Sequence, residues 1–162
     1  EEAAQYNDNA TGLFFMRVQF ACDSTDIAAL KEATATMAAT YGMKWGLHSI
    51  AERMKTVLMV SRQGHCLNDL LYRQRIGQLS MDVVAVVSNH PDLEPLAQWH
   101  GIPYHHFALD PANKPAQEAK VWQVSEDTGA ELVILARYMQ VLSPELCRKL
   151  DGKAIALAHN AP

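Results

Sequence analysis

Apolar and polar positions follow two different periods along this chain, and the change comes just after residues 51–53. From Gly12 to Phe20 the two kinds alternate, with Phe14, Met16, Val18 and Phe20 on one face and Arg17 and Gln19 on the other. That is the pattern of a half-buried strand with one wet face. Asp23-Ser24-Thr25 then supplies oxygens able to cap a helix, Ile27, Leu30, Met37 and Tyr41 follow at near-helical spacing, and Gly42 offers a left-handed stop. Met43, Trp45 and Leu47 alternate again and predict a second strand. Residues 1–52 therefore read strand, helix, strand, too little for a stable two-layer domain alone.

Beyond residue 53 the predicted strands become continuously apolar: 56–60, 83–87 and 132–136, with a shorter one at Ile102-Pro103-Tyr104. Strands buried on both faces read this way in parallel sheets. Helical patterns lie between them, carried by Leu67, Leu70 and Leu71, by Leu93, Leu96, Ala97 and His100, and by residues 116–128 with Pro115 at their start. Alternating strand and helix with short connections predicts an α/β fold, a Rossmann-like doubly wound parallel sheet with right-handed crossovers. The linker between the two patterns is expected at residues 51–55. Ligands of such sheets bind at the carboxyl ends of the strands, so the informative segments are those just after Val60, Val87, Ala136 and Leu157.

Charge narrows the partners. Fourteen Lys and Arg against 18 Asp and Glu leave a net charge of −4 over 162 residues. This argues against nucleic acid or an acidic membrane as the partner and favours a small molecule. No apolar run approaches the roughly 20 residues of a membrane helix, and the N-terminus, Glu1-Glu2 without an initiator Met, lacks a secretory pattern and hints at a fragment. Cys22, Cys66 and Cys147 are widely spaced with no CxxC, which supports neither a disulfide framework nor structural zinc and fits a reducing cytoplasm.

Ser61-Arg62-Gln63-Gly64-His65-Cys66 follows the first apolar strand and opens a helix, a place suited to an anion. With Gly64 its only glycine, and neither GxGxxG nor GK[ST], it is not a nucleotide-cradling loop. His65 beside Cys66 reads as a loop histidine and a packed cysteine rather than a nucleophile and base. Ser88-Asn89-His90-Pro91-Asp92 reads as a helix cap, and His105 and His106, adjacent on a strand, point to opposite faces and do not share a metal. Residues 136–144 differ: a loop with apolar side chains and unpaired amides after the most apolar strand suits a flat heteroaromatic ring. Residues 153–160 read as a last strand running to the same edge, with His159 and Asn160 the polar side chains at its end.

Several of these segments together resemble the formyltransferase fold of the formyltetrahydrofolate deformylase family and of its relative, glycinamide ribonucleotide formyltransferase. They are Val57-Leu58-Met59-Val60-Ser61, Val87-Ser88-Asn89, Gly101-Ile102-Pro103 and, most specific, Ala136-Arg137-Tyr138-Met139-Gln140-Val141-Leu142-Ser143. Gly12-Leu13-Phe14-Phe15-Met16-Arg17-Val18 and the helix after it look like the second half of an ACT regulatory domain. The resemblance implies a partial ACT-like domain at 1–52 and a partial formyltransferase-fold domain at 53–162. It also implies hydrolysis of 10-formyltetrahydrofolate to tetrahydrofolate and formate without metal or redox cofactor, by polarising the formyl oxygen and activating water. The backbone around Met139, Gln140, Val141 and Leu142 would line the pterin pocket. A homo-oligomer with an amino-acid effector at the ACT domain is implied as well.

The last strand departs from the family. Where the family carries Asn, His and Ser at alternate positions, this chain has Ala156, Ala158 and Asn160. His159 and Asn160 are the candidate catalytic side chains that remain, and His159 reaches the imidazole's place only through a one-residue shift that reverses its face. The family's catalytic Asp is expected downstream of Pro162, and the first strand and helix of the ACT domain upstream of Glu1. Hydrolysis by this chain alone is expected to be impaired. The alternatives are a folate- or amino-acid-binding module without catalysis, and the ribonucleotide formyltransferase.

Overall fold

The computed structural model describes residues 2–22 and 26–157, and its contacts divide the chain into two units, Glu1–Ser49 and Ile50–Pro162. In the first unit β1 (Glu2–Asp8) and β2 (Leu13–Gln19) form an antiparallel ribbon with Tyr6 opposite Phe15. No periodic pattern announces β1, whose sequence is EAAQYND; it is recruited by its partner and by the turn. In that turn the Asp8 side chain accepts from Ala10 N at 3.0 Å and from Thr11 Oγ1 at 2.5 Å, and Gly12 N donates to the Asp8 carbonyl at 2.8 Å. The hydroxyl of Thr11 foremost, and then the Ala10 amide, hold the Asp8 carboxyl below its ordinary pKa. Every residue of β2 is exposed. The buried face expected from its alternation is absent because a two-stranded ribbon has no second layer to cover it.

Helix α1 (Ile27–Tyr41) is capped by Asp26, whose side chain accepts from Ala29 N at 3.0 Å. The predicted capping triplet at 23–25 lies outside the described residues. Ile27, Leu30, Thr34 and Ala38 make the inward stripe, with Ala38 fully buried. Met37 and Tyr41, expected on that stripe, are exposed: one lies a step round the helix from Ala38 and the other in the last turn. Gly42 (φ 63°) ends the helix as expected. The strand predicted at 43–47 does not form. Met43 N is drawn back to the Ala38 carbonyl at 2.9 Å, and alternation without a partner edge does not make a strand.

The second unit alternates strand and helix: β3 (Met54–Val60), α2 (His65–Arg75), β4 (Met81–Ser88), α3 (Glu94–Trp99), β5 (Tyr104–His106), α4 (Lys114–Asp127), β6 (Leu132–Ala136), α5 (Pro144–Lys149) and β7 (Ala154–Leu157). Because β3 begins at Met54, the linker is shorter than expected. β5 starts later than expected because Pro103 has no N–H for the ladder, although its carbonyl accepts from Val86 N at 2.9 Å. Among the described residues these strands form one parallel sheet in the order β5-β4-β3-β6-β7.

Each face of the sheet is covered. Leu58, Val60 and Val86 pack with Leu67 and Leu71 of α2 and Ala97 of α3, while Val57, Met59 and Val87 pack with Val121 of α4 and Leu146 of α5. A bulge between Thr56 and Val57 leaves Val84 without a partner on β3, so Val83 and Val86 share one face despite their odd spacing. From β3 the chain winds one way through β4 and β5, then returns to place β6 on the other side of β3. The carboxyl ends of β3 and β6 are therefore the point where the winding reverses, and there the connections diverge to leave a crevice.

Candidate functional site

The segment leaving β6 at that reversal point, residues 137–143, is held at several backbone atoms. Arg137, at φ 59°, is the non-glycine residue with positive φ among the described residues, a conformation costing about 1–2 kcal/mol. Its N–H donates to the Leu157 carbonyl at 3.3 Å. Met139 N donates to Ser61 Oγ at 3.3 Å, and the Ser61 hydroxyl donates to Asn89 Oδ1 at 2.8 Å. Ser61 and Asn89 are each only 6% exposed, so this relay runs through low dielectric and joins the ends of β3, β4 and β6. Tyr138 is buried and its hydroxyl accepts from Gln117 Nε2 at 3.1 Å. Burial raises the Tyr138 pKa above 10.0, so the phenol remains protonated across the physiological range. Lys114 Nζ donates to the Val141 carbonyl, and Ser143 N donates to Glu118 Oε1 at 2.9 Å.

The backbone of this loop is fixed while its apolar tips point to solvent: Met139 is 68% exposed and Val141 82%. Gln140 is half-buried, and Leu142 packs partly against the α4–α5 side of the core. Exposed apolar side chains on a pinned backbone suit recognition of a flat ring with little ordering cost. Beside β7 at the same end of the sheet, a cavity of about 220 Å³ is lined by His65, Cys66, Asp69, Leu70 and Leu157; the residues 139–142 do not line it. A larger one, about 570 Å³, includes Trp122, Glu131 and Lys153 and lies by the start of β6, away from the loop.

His159 and Asn160 lie outside the described residues. Ala156 stands on β7 opposite Leu135 and is exposed; its methyl group can neither donate to an oxyanion nor accept a proton. In the first loop, a Cβ on Gly64 would come within 2.8 Å of Leu93 Cδ2, so this glycine serves packing. The described residues contain no group of three or more His, Cys, Asp or Glu able to hold a metal ion, and none of their helices is long and apolar enough to cross a membrane. By its sequence Ser61 belongs to an anion loop and Asn89 to a helix cap, whereas Lys114, Gln117 and Glu118 stand in no sequence motif. The available signal was the 114/118 spacing, which places an opposite-charge pair on one helix face.

Residues 54–161 match the family model described as Formyl transferase. The chain is 44% identical over 161 residues to the formyltetrahydrofolate deformylase of Corynebacterium sp. (strain P-1), covering 98% of this chain and 56% of that protein. It superposes on the crystal structure of a formyltetrahydrofolate deformylase from Pseudomonas putida KT2440 with a TM-score of 0.79 and 63% identity, covering 96% of this chain and 56% of that one. A phosphoribosylglycinamide formyltransferase from Coxiella burnetii matches 65% of this chain and 51% of its own at 23% identity and a TM-score of 0.60, a likeness of fold. The chain thus spans little more than half the length of the deformylases it matches. Its doubly wound sheet, the pinned loop at the reversal point and the extent of the family match lead to one conclusion: the chain belongs to the formyl transferase family.

Proposed function

We propose that the protein carrying this chain hydrolyses 10-formyltetrahydrofolate to tetrahydrofolate and formate. The observation that carries this reading is the reach of the likeness: the deformylase of known structure matches 96% of the chain, so both units are included, whereas the ribonucleotide enzyme matches 65%. The first loop agrees, since it carries Gly64 alone and lacks the several glycines that close approach of a phosphate requires.

In the reaction a water oxygen attacks the formyl carbon, the C–N bond breaks, and the amine nitrogen takes a proton. The carbon's oxidation state is unchanged, so the reading calls for no redox cofactor, and it calls for no metal. The pterin would rest on the 139–142 backbone between the exposed tips of Met139 and Val141. His159 and Asn160 are the proposed base for water and donor to the formyl oxygen, because Ala156 offers neither group. Neither stands at the position where the family's Asn is replaced by Ala156, and losing one preorganised oxyanion donor costs about 10²–10³ in rate, so turnover is expected to be slow. The same reading places the protein in the cytoplasm as a homo-oligomer, with the first unit as an ACT-like module responsive to an amino acid.

The test is formate release from 10-formyltetrahydrofolate by the intact protein against a no-protein control. Formate above the control supports the hydrolase. Saturable fluorescence quenching by tetrahydrofolate without formate replaces it with the binding-module reading, which the alanine at position 156 favours. Formyl transfer to glycinamide ribonucleotide would instead identify the transferase.

A further inference from the structure

We propose that Lys114 and Glu118 are positioning residues that clamp the ligand-facing loop from the first turns of α4. The proposal rests on the folate-site reading above and names a part of the machinery which that reading does not include.

The two residues are one helical turn apart, with Lys114 Nζ 3.9 Å from Glu118 Oε1. Each also bonds a different backbone atom of the same short segment: Lys114 Nζ donates to the Val141 carbonyl, and Glu118 Oε1 accepts from Ser143 N at 2.9 Å. Glu118 is 6% exposed, and a carboxyl group taken that far from water needs partners to offset its desolvation. Ser143 in turn caps α5 through its own side chain, which accepts from Leu146 N at 3.2 Å. The pair thus sets where the loop ends and where α5 begins. Between the two pinned atoms lies Leu142, packed partly on the core, and before them the Val141 side chain stands out in solvent. With the Val141 carbonyl and the Ser143 amide both fixed, the 139–142 edge is presented in one conformation, and the ligand is spared the cost of ordering it. Both side chains spend their polar atoms on the loop backbone and on each other, so the effect assigned to them is on binding.

The intact protein is compared with Lys114→Met, Lys114→Arg and Glu118→Gln. Lys114→Met should raise KM for 10-formyltetrahydrofolate about tenfold and leave kcat within about twofold. Lys114→Arg should return KM to near the starting value. Amide hydrogen exchange over residues 137–143 should quicken in Lys114→Met and Glu118→Gln while β3 and β4 keep their protection. Unchanged loop exchange in both variants overturns the clamp, and so does an unchanged KM with faster exchange. A fall in Tm with kcat and KM drifting together also overturns it, since that is the signature of a merely structural role. If the unsubstituted protein releases no formate, the reaction falls and exchange alone decides: faster exchange keeps the clamp, and unchanged exchange discards it too.

Discussion

Ser61, the residue after β3, has a hydroxyl that is donor to Asn89 Oδ1 and acceptor from Met139 N at once. Ser61→Ala leaves the buried Asn89 carboxamide oxygen and the Met139 amide short of a partner, and a buried polar group costs about 1–3 kcal/mol when orphaned. Urea unfolding should show a loss of about 1–3 kcal/mol, with faster exchange at the Met139 amide. His100 behaves in the opposite sense to a paired histidine. Burial, and secondarily the nearby Arg75 cation, lowers its pKa from 6.5, so the folded state holds this proton less tightly than the unfolded chain. Its cost is absent above pH 6.5, grows as the pH falls through that value, and is complete below the lowered folded pKa. His100→Gln should therefore reduce the drop in Tm between about pH 8 and about pH 5. At this scale the residue types were legible and their partners were not: Ser61 and Asn89 are 28 positions apart, and Ser61 and Met139 are 78.

Elements with a strong local signal came through. β3, β4 and β6 were visible as continuous apolar runs, α2 by Leu67, Leu70 and Leu71, and the end of α1 by Gly42. Leu71 is fully buried between α2 and the sheet, and Leu71→Ala should cost about 2–5 kcal/mol by denaturant unfolding. Gly42→Ala forces an L side chain to φ 63° and should cost about 1–2 kcal/mol, seen as earlier exchange in the last turn of α1. Where pairing decides, the local pattern misleads or is silent. β1 is silent by itself and forms on β2, while 43–47 alternates and forms nothing. Hydrophobic period reports which side of a segment is apolar; the ladder depends on whether another edge is available.

At the level of the whole molecule, β2 presents Phe14, Met16 and Val18 to solvent, each about half exposed or more, an apolar face that a partner would cover. Under the homo-oligomer proposal, sedimentation velocity of the intact protein should give a multiple of the chain mass, and Phe14→Glu with Met16→Glu should lower it. An unchanged mass would place the contact elsewhere. What the sequence by itself determined was the material of the fold: apolar strands for a doubly wound sheet, an acidic balance, and a loop after β6 suited to a flat ring. These are properties of neighbouring residues, and a periodic pattern is readable wherever burial repeats. The tertiary structure alone decided that β6 returns to the far side of β3, and hence that the loop is pinned by Ser61 and by the Lys114–Glu118 pair. Strand order depends on how long crossovers pack across the sheet, and no local period encodes which distant hydroxyl or carboxyl group will meet a given amide.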